Sequence, residues 1–143
     1  MSKIEKVLVT GKTHTTPTKP GDHNSKVNLN LSGTGAKAYA FEAIAAHPTA
    51  EQLFAGAWSA CYISAVSIVA SSKGVHLPAD TAVDIEVDLG QTGDQYVLQA
   101  RLTLSVPGLP LDVATEIAHG ADAMCPYSKA TKGNIDVALN VAV

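Results

Sequence analysis

The run Leu53–Ser71 most constrains the fold, because nearly all of its side chains are apolar or small. Thr49 is a favourable N-cap before it, Glu51 suits the first turn, and Lys73–Gly74 is a typical C-terminal signal. The pattern predicts one long helix that is apolar on nearly every side and must be buried on nearly every side. A chain of 143 residues fits a single domain, residues 1–143, too small to supply all of that cover. We therefore expect an obligate homodimer.

Alternating apolar and polar residues mark the strands. In the clearest case, Val83, Ile85 and Val87 alternate with Asp84 and Glu86, which is typical of a half-buried strand. A second helix is predicted between the last two strands. The order of elements indicates an α+β fold with antiparallel sheets. The predicted strands are Glu5–Thr10, Lys26–Ser32 (hairpinned onto the first), Thr81–Leu89, Tyr96–Val106 and Gly133–Val143, and the second helix is Leu111–Met124.

Two segments near the N-terminus have weaker patterns. Gly11–Ser25 is rich in Thr, Pro and Gly and is predicted to be a long turn region. Ala36–Ala46 is alanine-rich and could form a short helix before Pro48.

Composition excludes several classes of function. The net charge is −3 and the basic residues are scattered, so nothing indicates a nucleic-acid partner. We expect no membrane association, because no stretch approaches the roughly 18 apolar residues of a span. The N-terminus lacks the apolar run of a signal peptide, which predicts a cytoplasmic protein. Permanent disulfides are uncommon there, so the two cysteines are either buried bystanders or redox participants.

Cys61 and Cys125 are the main candidates for chemistry. Neither belongs to a zinc-type spacing, the histidines are dispersed, and no G-x-S-x-G motif is present, so metal and hydrolase sites are disfavoured. A reactive thiol needs a lowered pKa, from a nearby cation or a helix N-terminus, and Cys61 is predicted to lie mid-helix, where the helix dipole helps little. No cation lies beside Cys61 in sequence, although Lys12, Lys19 and Lys26 could supply one through the fold. An inert buried Cys61 remains open, whereas Cys125 precedes a proline at a helix end where exposure is expected. Arg101, the only arginine, is predicted to lie on the polar face of the sheet near acidic residues.

Two segments carry a resemblance to a known family. E-Q-L-F-A-G-A-W-S-A-C-Y (Glu51–Tyr62) and C-P-Y-S-K-A-T-K-G-N-I-D-V (Cys125–Val137) resemble the signature segments of the organic hydroperoxide resistance proteins, the Ohr branch of the Ohr/OsmC family. The opening E-K-V-L-V-T-G-K-T-H-T-T and the loop L-P-A-D-T are also similar. The resemblance spans nearly the whole chain.

The resemblance implies sheets packed around the long central helix in an intertwined homodimer with two sites at the interface. It also implies a thiol peroxidase without a bound cofactor. Cys61 would attack an organic hydroperoxide and become a sulfenic acid, and Cys125 would resolve it into a disulfide. Dihydrolipoamide or a lipoylated protein would be the reductant.

Glu51 matches the family's active-site glutamate, which holds an arginine against the thiolate. On one helix it would lie about 15 Å from Cys61, so it either precedes the helix or completes the site of the other subunit. Lys19, in T-P-T-K-P-G, stands where the family has arginine, and it lacks the planar guanidinium fork. We expect Lys19 to perform a weaker version of the arginine's role. The alternative is a non-catalytic relative that binds an apolar ligand at the dimer interface.

Overall fold

The computed structural model describes residues 4–16, 27–29 and 49–143. Lys19, Lys26 and the alanine-rich Ala36–Ala46 lie outside the described residues, so the predictions made for them are untested. The described residues form five strands and three helices. The strands form one sheet in the order β2-β1-β3-β4-β5. The bounds are β1 Lys6–Thr15, β2 Val27–Leu29, α1 Ala50–Ser72, β3 Ala82–Thr92, β4 Gln95–Ser105, α2 Leu111–Met124, α3 Pro126–Thr131 and β5 Asp136–Ala142.

Helix α1 forms as predicted, with Thr49 as N-cap and Lys73 as C-cap. The Thr49 side chain accepts a hydrogen bond from the Gln52 backbone N–H, and the Gln52 side chain accepts one from the Thr49 N–H, which completes a capping box. The face of the helix that packs on the sheet carries apolar side chains that are fully buried, among them Ile63 and Val66. Trp58 and Tyr62 are also fully buried, and their polar atoms bond to Ser128 of α3 and to the Ala118 carbonyl of α2. The long apolar run therefore serves as the central element of the core.

The expectation about membrane spans needs correction. By length and composition α1 is apolar enough to cross a membrane, contrary to the expectation that no stretch approaches a span. In the fold, 56% of its apolar window is buried inside the protein. Burial of this kind is characteristic of the core helix of a globular domain.

The sheet is mixed, where an antiparallel sheet was expected. The β1–β2, β1–β3 and β3–β4 pairs are antiparallel, and β1 and β2 form the predicted hairpin. Strand β5 runs parallel to β4, with Leu102 opposite Leu139. Parallel strands need a long crossover connection, and here α2 and α3 supply it. The α+β class stands, and the crossover carries Cys125.

Strand β1 extends further than predicted, through Gly11–Thr15, which the sequence pattern indicated as a turn. Thr13 and Thr15 are β-branched and buried, so this segment fits a pleated sheet surface. Gly11 lies against the first turn of α1, where a Cβ atom would collide with the backbone of Glu51 and Gln52. Glycine is therefore what allows β1 to cross the helix N-terminus at close range.

The outer face of the sheet carries charged residues. Arg101 forms ion pairs with Glu86 and Asp88, as its position near acidic residues predicted, and Lys12 pairs with Glu86. Burial would raise the pKa of Asp88, but hydrogen bonds, the strongest from Arg101, outweigh it and hold that pKa at about 2. Arg101 alternates with inward-facing Leu102 and so points away from α1. The only arginine of the chain is therefore not beside Cys61.

Candidate functional site

Helix α1 carries the first candidate residue, Cys61, on the face that points away from the sheet. Side chains on this face are small or partly exposed, whereas Ile63 on the sheet side is fully buried. The Cys61 side chain is itself partly buried. Its place midway along α1 gives it a rigid backbone.

The second candidate, Cys125, lies at the junction of α2 and α3. Its backbone is extended between the two helices, and Pro126 begins α3 at the first helical position, where proline is favoured. Helix α3 then packs across α1. Cys125 is consequently 0% exposed, which corrects the expectation that the helix boundary would expose it.

The two thiols are in direct contact. The Cys125 Sγ lies 2.9 Å from the Cys61 Sγ and donates a hydrogen bond to it. A covalent disulfide measures about 2.05 Å between sulfurs, so the pair is in the reduced dithiol form. A small movement of either residue would bring the sulfurs to bonding distance.

The Cys61 thiol is not activated by the described residues. Burial raises the pKa of Cys61 from 9.0 to about 11, and the Tyr127 backbone N–H opposes that rise. Desolvation disfavours the thiolate because the charge leaves water without a compensating cation. A nucleophilic Cys61 therefore needs positive charge from beyond the described part of this subunit.

An open depression of about 370 Å³ lies beside the two sulfurs. Its described lining has no charged side chain, and its polar side-chain groups are the two thiols and the hydroxyls of Ser64 and Tyr127. An alkyl group would replace water favourably over the apolar part of such a surface. The small or apolar residues of the lining are Ala57, Ala60, Ala65, Ile68, Met124 and Pro126.

Glu51 is not brought to the thiols of its own subunit. Glu51 lies in the first turn of α1, so it belongs to the same helix as Cys61 and is about 15 Å from it along the axis. The possibility that Glu51 precedes the helix is therefore wrong. Lys19 lies outside the described residues.

Sequence reasoning missed helix α3 and the contact that holds it. The Trp58 Nε1–H donates a hydrogen bond of 3.1 Å to the Ser128 Oγ, and both side chains are buried. The signal available was Pro126, which was interpreted as the end of α2 although proline is equally a helix-start residue. Within the described residues, no group of three or more His, Cys, Asp or Glu side chains could hold a metal.

Comparison with known proteins gives consistent matches. Residues 42–140 match the model of a protein family described as OsmC-like protein. The organic hydroperoxide resistance protein of Xanthomonas axonopodis pv. citri (strain 306) is 38% identical over 92 residues, 64% of this chain and 65% of that protein. Organic hydroperoxide resistance protein OhrA of Bacillus subtilis (strain 168) is 35% identical over 92 residues, with the same two shares. The chain thus spans just under two thirds of the length of these curated relatives.

Solved structures resemble the whole fold. The crystal structure of an organic hydroperoxide resistance protein from Legionella pneumophila superposes with a TM-score of 0.64 at 29% identity and covers 90% of this chain and 96% of that chain. The crystal structure of OhrB of Bacillus subtilis gives a TM-score of 0.64 at 25% identity and covers 89% of this chain and 96% of that chain. The central helix and the α+β arrangement are therefore shared.

Proposed function

Because the chain belongs to the OsmC-like protein family, as its sequence resemblance predicted, we propose that it is a thiol peroxidase that reduces organic hydroperoxides to alcohols. The observation that carries the proposal is the 2.9 Å contact between the Cys61 and Cys125 sulfurs beside an apolar depression. Two free thiols this close form a unit that can cycle between dithiol and disulfide.

The proposed reaction begins at Cys61, the more exposed of the two thiols. Its thiolate attacks one oxygen of the O–O bond, the alkoxide leaves and takes a proton as the alcohol, and Cys61 becomes a sulfenic acid. The Cys125 thiol then attacks the Cys61 sulfur, and water leaves as the disulfide forms. A dihydrolipoyl group, free or on a lipoylated protein, gives two electrons and two protons to restore both thiols and becomes a disulfide itself. The apolar lining favours alkyl and fatty-acid hydroperoxides over hydrogen peroxide.

A second copy of the chain would complete the site. Leu53, Ala57, Cys61, Ser64 and Ile68 recur at helical spacing on the face of α1 away from the sheet, and all are at least partly exposed. Two α1 helices crossing antiparallel near Ala57 would bring Leu53 of the partner subunit opposite Cys61, since both residues are four positions from Ala57. Glu51 of the partner subunit would then approach Cys61, although Glu51 of the same subunit cannot. A homodimer is therefore part of the proposal.

Lys19 is proposed as the cation that lowers the Cys61 pKa. The raised pKa of Cys61 shows that the described surroundings do not stabilise the thiolate. An ammonium or guanidinium group within about 4–6 Å would reverse the direction. Lys19→Met should then raise the Cys61 pKa, while Lys19→Arg should raise turnover if the turn positions the longer side chain.

Steady-state turnover of cumene hydroperoxide with dihydrolipoamide tests the proposal. We expect rapid alcohol formation by the wild-type protein, slower turnover with hydrogen peroxide, and none by Cys61→Ser. Cys125→Ser should give one turnover and then a sulfenic acid that dimedone traps. Absence of turnover together with absence of the dimedone adduct would refute it. A cytoplasmic setting, where thiols are kept reduced, agrees with this cycle.

A binding protein without catalysis is the second candidate. It is favoured by the apolar depression and by the raised pKa of Cys61, because an unactivated thiol would be inert. Alkylation rate against pH separates the two candidates. A Cys61 pKa well below about 8.5 in the native protein supports the peroxidase, and a value near 11 with tight fatty-acid binding supports the ligand carrier.

A further inference from the structure

The contact between Trp58 and Ser128 joins the same two helices as the contact between the cysteines. Trp58 precedes Cys61 by three residues on α1, and Ser128 follows Cys125 by three residues at the start of α3. Residues three apart on a helix lie on one face. The indole–hydroxyl hydrogen bond and the sulfur–sulfur contact therefore form two adjacent bridges across one helix interface.

Helix α3 has little internal means of holding Cys125 in place. It has six residues, and Cys125 at its N-cap position makes no side-chain capping hydrogen bond. Helices this short are not stable by themselves, so their position is set by the contacts they make. The described contacts of α3 with α1 include the Tyr127 backbone N–H at the Cys61 sulfur and the Trp58–Ser128 hydrogen bond.

Trp58 gives the bridge a fixed end. It is 0% exposed, belongs to the rigid centre of α1, and packs edge-to-face with Phe54 at a ring centroid distance of 5.9 Å. A buried N–H without an acceptor is strongly unfavourable, so the indole keeps the Ser128 hydroxyl at hydrogen-bonding distance. The indole position therefore limits where α3, and with it Cys125, can lie.

We propose that Trp58 and Ser128 are positioning residues that set the approach of Cys125 to Cys61 and thereby the rate of disulfide closure. This role matters to the cell only if the proposed peroxidase function is correct, but disulfide closure itself can be measured without it. The step it governs is the attack of the Cys125 thiol on an oxidised Cys61 sulfur. From the sulfenic acid this step forms the S–S bond, breaks the S–O bond and releases water.

Closure by the thiol oxidant diamide tests the positioning without any peroxidase activity. Diamide takes up the two electrons and two protons that the thiols lose, and acid quenching followed by mass spectrometry measures disulfide formation. We expect Ser128→Ala and Trp58→Phe each to slow closure about ten- to a hundredfold, as displacements of about 1 Å do for aligned reacting groups. Because one hydrogen bond is involved, the double variant should be no slower than the slower single variant.

Ser59→Ala is the matched control. Ser59 is a fully buried serine of the same helix whose hydroxyl bonds to the Thr13 hydroxyl on β1, on the sheet side. The same chemical change there removes a buried hydrogen bond between elements without touching α3. We expect closure at the wild-type rate. Wild-type closure in Ser128→Ala and Trp58→Phe, or equal slowing in Ser59→Ala, would overturn the inference.

Single turnover with cumene hydroperoxide adds a readout that general loosening would not give. In Ser128→Ala we expect oxidation of Cys61 at the wild-type rate, slow loss of the sulfenic acid and accumulation of the dimedone adduct. If Ser128→Ala and Trp58→Phe slow closure with diamide but the wild-type protein does not reduce the hydroperoxide, the proposed function fails and the positioning inference stands. If Ser128→Ala closes as fast as wild type in both reactions, the inference alone fails.

Discussion

The two faces of α1 differ in what covers them. The sheet-facing side carries Ile63 and Val66, both with no exposed surface. The opposite side carries small residues around Cys61, with Leu53 and Ile68 exposed by 54% and 45% near its two ends. One helix therefore presents a packed apolar face to its own sheet and an unpacked apolar face to the outside.

The difference shows how one helix can serve both stability and chemistry. Large side chains on the sheet side contribute apolar burial, which is the main source of folding free energy. Small side chains on the other side leave room for α3, for a substrate and, in the proposed dimer, for a second helix. Cys61, the thiol that would react, lies on this second face, which the described residues cover only in part.

Loss of the Cys61 thiol should have the largest effect. Cys61→Ser should reduce hydroperoxide consumption to the uncatalysed rate, because a serine hydroxyl is not ionised at neutral pH and cannot form the sulfenic acid. Ser67→Ala is a suitable control, since it removes only a hydroxyl that bonds to the Ile63 carbonyl one turn earlier. Consumption measured with a ferrous–xylenol orange assay should be unchanged in the control.

A charge on the unpacked face of α1 should separate the subunits of the proposed dimer. Leu53→Glu places a charge at the proposed contact of two α1 helices, and we expect sedimentation to show a monomer. The Cys61 pKa of that monomer should rise towards about 11, because burial raises it and, in the proposed dimer, Glu51 of the partner subunit is what holds Lys19 against the thiolate. Iodoacetamide should therefore react progressively faster up to about pH 11, while the wild-type rate should level off near neutral pH. A monomeric wild-type protein would contradict the dimer.

Two isoleucines of α1 allow a matched test of stability. Ile63→Ala should lower the free energy of unfolding by about 2–5 kcal/mol, because it opens a cavity in the core. Ile68→Ala should change the stability of the subunit by less than about 0.5 kcal/mol, because its side chain is already half exposed. Urea unfolding of both variants in the Leu53→Glu background measures the two values without a contribution from association. Equal losses would mean that both faces are packed in the subunit.

The outer face of the sheet is a third surface, and its contribution to stability should change in a pH range of its own. The folded-state pKa of Asp88 is about 2, below the ordinary value of 3.8, so its ionised form stabilises the fold above about pH 4. That contribution, on the order of 2 kcal/mol, should disappear as the pH falls from about 4 to 2. Asp88→Asn should flatten the stability curve over this range, whereas the alkylation profile of Cys61 should not change. Thermal unfolding between pH 2 and 6 measures the effect.

Most of the fold could be predicted because its patterns are local. The N-cap Thr49, the apolar run behind it and the alternation in β3 lead to the correct elements within a few residues. The parallel β5 could not be predicted, since strand direction depends on where the crossover places the strand. Gly11 was interpreted as the start of a turn, and only the packing of β1 against α1 shows that a close approach requires it.

The site was predictable in part. The sequence resemblance paired Cys61 with Cys125, and the structure places their sulfurs in contact. Burial of Cys125 and its link through Ser128 depend on α3, whose six residues are too few to give a helical period. Glu51 lies within α1 because Thr49 is the N-cap and the helix begins at Ala50. In the proposed dimer, Glu51 would approach Cys61 of the other subunit, a contact that the sequence pattern of one chain does not describe.

The separation of the two thiols along the chain has a consequence for the order of folding. Cys61 is on the third described element, whereas Cys125 arrives only with the crossover that precedes β5. Contacts between such distant residues form late, because a long loop must close first. A newly made chain would therefore have its central helix and β3–β4 hairpin before it had a thiol pair. Oxidation of Cys61 during that interval would meet no resolving partner.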